Sequence, residues 1–208
     1  MSTLNTISEF LQKGRVPNVK ENIQIALDEG IAPKTILEDG LLSGMAIVGE
    51  KFKNNEVYVP EVLIAARAMN AGIEMLKPLL VGADAAAKGS VVLGTVKGDL
   101  HDIGKNLVKM MMESKGLEVV DLGVDVSADK FVEAAKEHKS QVIACSALLT
   151  TTMPQMKEVV TLVKEQGLNV KVMIGGAPIT KEYADSIGAD CYTSDAVSAA
   201  DAALAFCI

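Results

Sequence analysis

The sequence predicts an α/β chain in which an N-terminal helical bundle is followed by a doubly wound, five-stranded parallel sheet. Three observations carry this reading. Up to about residue 82 the apolar residues recur at three- and four-residue steps. From Ser90 onward, short β-branched runs alternate with helix-period segments. Those runs are largely apolar rather than alternating, as strands of a parallel sheet buried on both faces should be.

In the first half, the helical spacing is clearest over Val19 to Leu27, Ile36 to Val48 and Val62 to Leu80. Pro17, Pro33 and Pro60 stand where proline can open a helix, and Gly30 where glycine can close one. Four or five helices in about 80 residues make a compact bundle. The alanine-rich stretch Gly82 to Gly89 reads as a linker. It separates an expected helical domain, 1–84, from a second domain, 89–208.

The second half carries strand signals at Val91 to Val96, Glu118 to Leu122, Gln141 to Ser146, Lys171 to Ile174 and near Asp190 to Thr193. Helical segments follow each one: Ile103 to Lys115, Ala128 to His138, Met153 to Gln166, Lys181 to Ile187 and Ala196 to Phe206. This alternation predicts a flavodoxin-like (Rossmann-like) sheet in the order 2-1-3-4-5. Such sheets bind ligands beyond the carboxyl ends of the strands, where strands 1 and 3 diverge. Two loops are thereby singled out, Lys97 to Gly104 and Ser146 to Thr152, with Gly175-Gly176 bordering the same crevice.

Composition narrows the function. A net charge of -7 and only 3% aromatic residues argue against a nucleic-acid partner, which needs a basic surface and stacking rings. No apolar run long enough to span a membrane and no secretory signal is visible, so a cytoplasmic location without membrane attachment is expected. Cys145, Cys191 and Cys207 form no CxxC pair and suit a reducing compartment, most simply as small buried hydrophobes.

One of only two histidines, His101, lies in the first loop, two residues after Asp99. An imidazole that ligates a metal through one nitrogen needs the other held, and a carboxylate does this well. A solvated loop histidine is the plainer alternative. No second histidine or cysteine stands at zinc-ligand spacing, so a lone ligand makes sense only if a macrocycle fills the other positions. Ser146, Gly175 and Gly176 leave room beside the sheet, although each is also readable as ordinary turn or strand-end chemistry.

Taken together, Asp99-x-His101-x-x-Gly104, then 41 residues, Ser146-x-Leu148, then 26 residues, and Gly175-Gly176 resemble a known signature. It is the cobalamin-binding signature of methionine synthase and related methyltransferase corrinoid proteins. Gly44-Met45-Ala46-Ile47-Val48-Gly49, Phe52 and Val57-Tyr58-Val59-Pro60-Glu61-Val62 are similar to the helical, methyl-capping module of the same family. The resemblance covers nearly the whole chain.

It implies a cobalamin or related corrinoid, carried in its methylcobalamin form, with His101 as the lower ligand to cobalt and Asp99 orienting it. Thr152 stands where methionine synthase carries the serine of its ligand relay. Gly98, Leu100, Asp102, Gly104, Ser146, Leu148, Thr150, Gly175 and Gly176 would line the corrin or its nucleotide tail, and Ala196 would approach the tail. Glu38, Phe52 and Val59 would face the methyl side, with plain bundle core as the other reading of the last two.

The implied role is a corrinoid carrier, non-catalytic alone, in a multi-component methyltransferase system. Its partners would be a substrate-specific methyltransferase, an acceptor (folate or thiol) methyltransferase and a reductive activation protein. An adenosylcobalamin-dependent mutase subunit would share the signature but not the cap. A cobalamin-responsive regulator would normally add a basic DNA-binding domain.

Overall fold

The computed structural model describes residues 2–80 and 87–208. The chain divides into two compact units, Met1–Ala86 and Ala87–Ile208. The expected linker, 82–89, and the expected boundary at 84 fall largely outside the described residues.

The first unit is helical. α1 (Thr3–Gln12) has Ser2 as N-cap, accepting from the Asn5 N–H. α2 (Val16–Asp28) carries Pro17 in its first turn, where a missing N–H costs nothing. It ends at Gly30, whose φ of +79° suits glycine and lets its own N–H and that of Ile31 turn back onto the Leu27 and Ala26 carbonyls. A third helical stretch begins as α3 (Pro33–Thr35), passes through a π-helix (Ile36–Leu42) and continues as α4 (Ser43–Lys53). α5 (Val59–Leu76) opens at Pro60, with the Glu61 carboxylate accepting the Tyr58 N–H at 3.0 Å. Pro78 then confines the chain to a 3-10 turn, Lys77–Leu79, so the helix stops short of Leu80. Ile7, Leu11, Ile23, Leu41, Met45 and Met69 are fully buried and form the core of this unit.

The second unit contains β1 (Ser90–Thr95), α6 (Ile103–Ser114), β2 (Glu118–Asp121), α7 (Ala128–Glu137) and β3 (Val142–Ser146). After these come α8 (Met153–Glu165), β4 (Lys171–Gly175), α9 (Lys181–Ile187), β5 (Cys191–Tyr192) and α10 (Ala196–Cys207). The sheet is parallel throughout, in the order β2-β1-β3-β4-β5. α6 packs on α10 and α7 on α8. Val92, Phe131, Ile143, Met156, Val160 and Ile174 fill the core beneath α7 and α8.

Register matters most for function. Thr95 pairs with Ser146, and Ser146 with Gly175, so three loops leave the carboxyl edge of the sheet at one level. β1 and β3 are neighbours whose connections depart in opposite directions, which opens the crevice between them. No described helix is long and apolar enough to cross a membrane.

Candidate functional site

The crevice is organised around one carboxylate. Asp99 is wholly buried in the loop after β1, and its two oxygens accept five hydrogen bonds. Oδ1 takes the His101 backbone N–H at 3.1 Å and pairs with His101 Nδ1 at 2.7 Å. Oδ2 takes the N–H groups of Leu148 and Leu149 at 2.8 and 3.1 Å and the Thr152 hydroxyl at 2.9 Å. Burial pushes the Asp99 carboxyl up, but the bonds from His101, Leu148 and Thr152 outweigh it and hold the group well below the usual carboxylate range.

That charge fixes the histidine tautomer. Beside an ionised Asp99, Nδ1 is the protonated ring nitrogen and donates, so a neutral His101 has its lone pair on Nε2. The side chain of His101 is half exposed while Asp99 is not exposed at all. The loop backbone is held as well, since Thr95, buried at the end of β1, donates its hydroxyl to the His101 carbonyl at 2.8 Å. Thr152 is also buried, and its hydroxyl oxygen, with a single proton to donate, lies 2.9 Å from both Asp99 Oδ2 and the Leu149 carbonyl oxygen. That proton can be given to either.

Around the half-exposed imidazole the loops present apolar side chains to solvent. Leu100 is 71% and Ile103 78% exposed, and Leu148, Leu149 and Val124 are exposed as well. Large apolar groups left open beside a single imidazole suit a wide, flat, partly apolar ligand rather than a bare ion. The described residues contain no group of three or more His, Cys, Asp or Glu side chains that could hold a metal ion. One nitrogen donor and an apolar rim fit a metal whose other positions come from a macrocycle.

The glycines separate into two kinds. A Cβ on Gly176, at φ +137°, would sit 1.8 Å from the Ala147 carbonyl oxygen, so a close backbone approach explains that residue. A Cβ on Gly175 would meet only the Thr193 carbonyl at 3.7 Å, and one on Gly104 would meet nothing within 4 Å. Gly98, at φ +80°, turns the loop into Asp99.

The other expected residues fall as follows. Ser146 is half buried at the end of β3, and its carbonyl accepts the Val96 N–H at 3.0 Å. Asp102 is exposed ahead of α6 and accepts from the Asn106 side chain at 3.1 Å. Thr150 is exposed, whereas Ala196 is buried in the first turn of α10. In the helical unit, Glu38 is exposed on the π-helix, and Phe52 and Val59 are half buried rather than core.

Two charged residues of this region carry no signal in the sequence. Lys105, in the first turn of α6, is buried and pairs with both oxygens of Asp121 at 2.7 and 2.8 Å, tying that helix to β2. Asp125, in the loop after β2, bonds the backbone on either side of the Gly98–Asp99 peptide. Both are charged residues in segments whose pattern gives no reason to single them out.

Known proteins match most of the chain, in both units. Residues 89–204 match a family model described as B12 binding domain, and residues 3–77 match a second model of the same description. The chain is 48% identical over 200 residues to dimethylamine corrinoid protein 1 of Methanosarcina acetivorans, covering 92% of this chain and 94% of that one. It is 47% identical to trimethylamine corrinoid protein 1 of Methanosarcina mazei, over 86% of each. Among solved structures, a chain of the methanol:cobalamin methyltransferase complex MtaBC from Methanosarcina barkeri superposes with a TM-score of 0.89 at 32% identity. That match covers 98% of this chain and 80% of the other. The chain therefore belongs to the family of B12-binding corrinoid proteins.

Proposed function

We propose that the protein is the methyl-carrying corrinoid subunit of a multi-component methyltransferase system, with His101 Nε2 as the lower ligand to cobalt. The observation that carries this reading is the fully satisfied Asp99 beneath a half-exposed His101, which leaves one imidazole lone pair for a ligand bond. When bound, the corrinoid supplies a cobalt centre that accepts a methyl group and later surrenders it.

The chain's own residues hold and tune that ligand. Asp99 fixes the tautomer and makes the imidazole a better electron donor. The Leu148 and Leu149 N–H groups keep Asp99 ionised and stationary, so ring orientation is set by the loop after β3 as much as by the loop after β1. Thr152 can turn its hydroxyl from Asp99 to the Leu149 carbonyl, which gives Asp99 freedom to share a proton with the imidazole when Nε2 has no partner. Leu100 and Leu148 supply an apolar floor, and Gly175 and Gly104 leave space at the edge of the crevice. Glu38, Phe52 and Val59 belong, on this reading, to the module that shields the methyl group.

The relatives named for dimethylamine and trimethylamine support a methylated amine as the ultimate donor. The similarity to a chain of a methyltransferase complex supports a substrate-specific methyltransferase as first partner. An acceptor methyltransferase and a reductive activation protein complete the proposed cycle. Reconstitution tests the core of this reading. Cofactor-free protein mixed with hydroxocobalamin and desalted should retain the corrinoid with the absorption spectrum of a form whose own base is displaced. Loss of all colour on desalting would refute it.

A further inference from the structure

We propose that Asp125 is a positioning residue for the histidine loop, setting the orientation of His101 through the Gly98–Asp99 peptide. The inference rests on the reading of His101 as lower ligand and extends it to a residue outside the signature.

Asp125 has φ +56°, in the left-handed region that few side-chain-bearing residues other than Asn and Asp adopt. Two other described non-glycine residues share this conformation, Asn55 and Lys139. Both lie just past the ends of helices α4 and α7, where a left-handed residue is the ordinary way to stop a helix. Asp125 ends no helix. A left-handed residue in a loop beside a candidate site, away from any helix end, points to local bonds that hold it there.

Asp125 makes such bonds. The Asp125 N–H donates to the Asp99 carbonyl at 3.0 Å, and its carboxylate Oδ1 accepts the Gly98 N–H at 2.7 Å. One residue thus grips the loop on both sides of a single peptide. The neighbouring chain is already zipped to β1: Thr95 N–H bonds the Gly123 carbonyl, Val126 N–H bonds the Thr95 carbonyl, and Val96 and Val126 form a parallel bridge. Asp125 extends that ladder to the turn where regular pairing ends, and it does so with a side chain. His101 is two residues beyond the gripped peptide, so a twist there moves the imidazole relative to the sheet.

Two substitutions separate the carboxylate from the backbone. Asp125→Asn keeps an acceptor oxygen and tolerates the left-handed conformation. Asp125→Gly suits that conformation better and keeps the backbone N–H, but removes the acceptor. In cofactor-free protein, hydrogen exchange at the Gly98 amide should be about two- to tenfold faster in Asp125→Gly, since one net hydrogen bond is lost. Asp125→Asn should match the wild type. In protein loaded with cobalamin, Asp125→Gly should show a smaller histidine-ligated fraction by absorption and a shifted cobalt reduction potential, at unchanged or higher Tm, with Asp125→Asn restoring both. A glycine variant with wild-type exchange, spectrum and potential overturns the proposal, as does faster exchange with an unchanged spectrum. If wild-type protein binds cobalamin without histidine ligation, the reading of His101 is what fails, and the exchange of Gly98 still decides whether Asp125 holds the loop.

Discussion

Asp99 Oδ1 lies 2.7 Å from His101 Nδ1 and also accepts the His101 backbone N–H at 3.1 Å, so a single oxygen fixes both the ring and the peptide of the same residue. Asparagine at this position cannot reproduce the arrangement. Both oxygens of Asp99 face donors, and the amide nitrogen must meet an N–H or O–H whichever way it is turned. Asp99→Asn should cost about 2–4 kcal/mol of stability.

The pH dependence of that cost has a definite sign. The folded carboxyl is held well below its ordinary value, so between the folded and unfolded values the unfolded chain binds the extra proton. The contribution of Asp99 is complete above about pH 4 and is lost as pH falls through the folded value. The stability difference between wild type and Asp99→Asn should therefore shrink as pH falls below about 4, as denaturant titrations at each pH would record. A gap that widened as pH fell below about 4 would mean that Asp99 is not a stabilised carboxylate.

Thr152 separates hydroxyl from methyl. Thr152→Ser keeps the donor to Asp99, whereas Thr152→Val removes it from a buried position. The valine variant should lose about 1 kcal/mol and the serine variant less. In the loaded protein, valine should also alter the pH at which the histidine ligand is released, and serine should leave it near wild type. Identical release profiles in both variants would remove Thr152 from the relay.

The paired glycines should behave differently. Gly176→Ala drives a methyl into the Ala147 carbonyl, backbone against backbone, and should destabilise the sheet unit by more than about 3 kcal/mol. Gly175→Ala meets only an ordinary contact and should fold normally. If Gly175 borders the cofactor's tail, its alanine variant should bind cobalamin more weakly at unchanged Tm. Equal affinity would leave Gly175 a strand-end residue and nothing more.

Phe52 is half buried, so Phe52→Ala should cost about 1–3 kcal/mol, less than removal of a fully buried ring. Shielding of the methyl face predicts a second effect, faster photolysis of bound methylcobalamin in protein that remains folded. An unchanged photolysis rate would return Phe52 to a packing role.

Much of this was legible in the residues. The alternation of β-branched runs and helical segments gives the strand order, because parallel strands buried on both faces have a composition unlike any helix. Asp99 and His101 stood out by chemistry and position and Thr152 by the family resemblance, and the three share one hydrogen-bond network. Asp125 and Thr95 did not, since their contributions depend on a φ angle and on bonds to main-chain atoms, neither of which leaves a side-chain pattern. Lys105 was hidden because a lysine in a first helical turn is ordinarily solvated, and its burial follows from how α6 meets β2. The π-helix at Ile36–Leu42 escaped for a similar reason: its apolar spacing satisfies an α-helical reading, and the altered hydrogen-bond register has no signature in residue type.

The central claim is that a protein nitrogen, that of His101, ligates cobalt in place of the cofactor's own base. Electron paramagnetic resonance of the cobalt(II) form tests it directly, using protein made with 15N-labelled histidine and unlabelled cobalamin. The account predicts that the nitrogen hyperfine splitting changes on labelling and that this label-dependent splitting disappears in His101→Ala. A splitting unaffected by labelling would place the cofactor's own base, or no histidine at all, on the cobalt and would contradict the account.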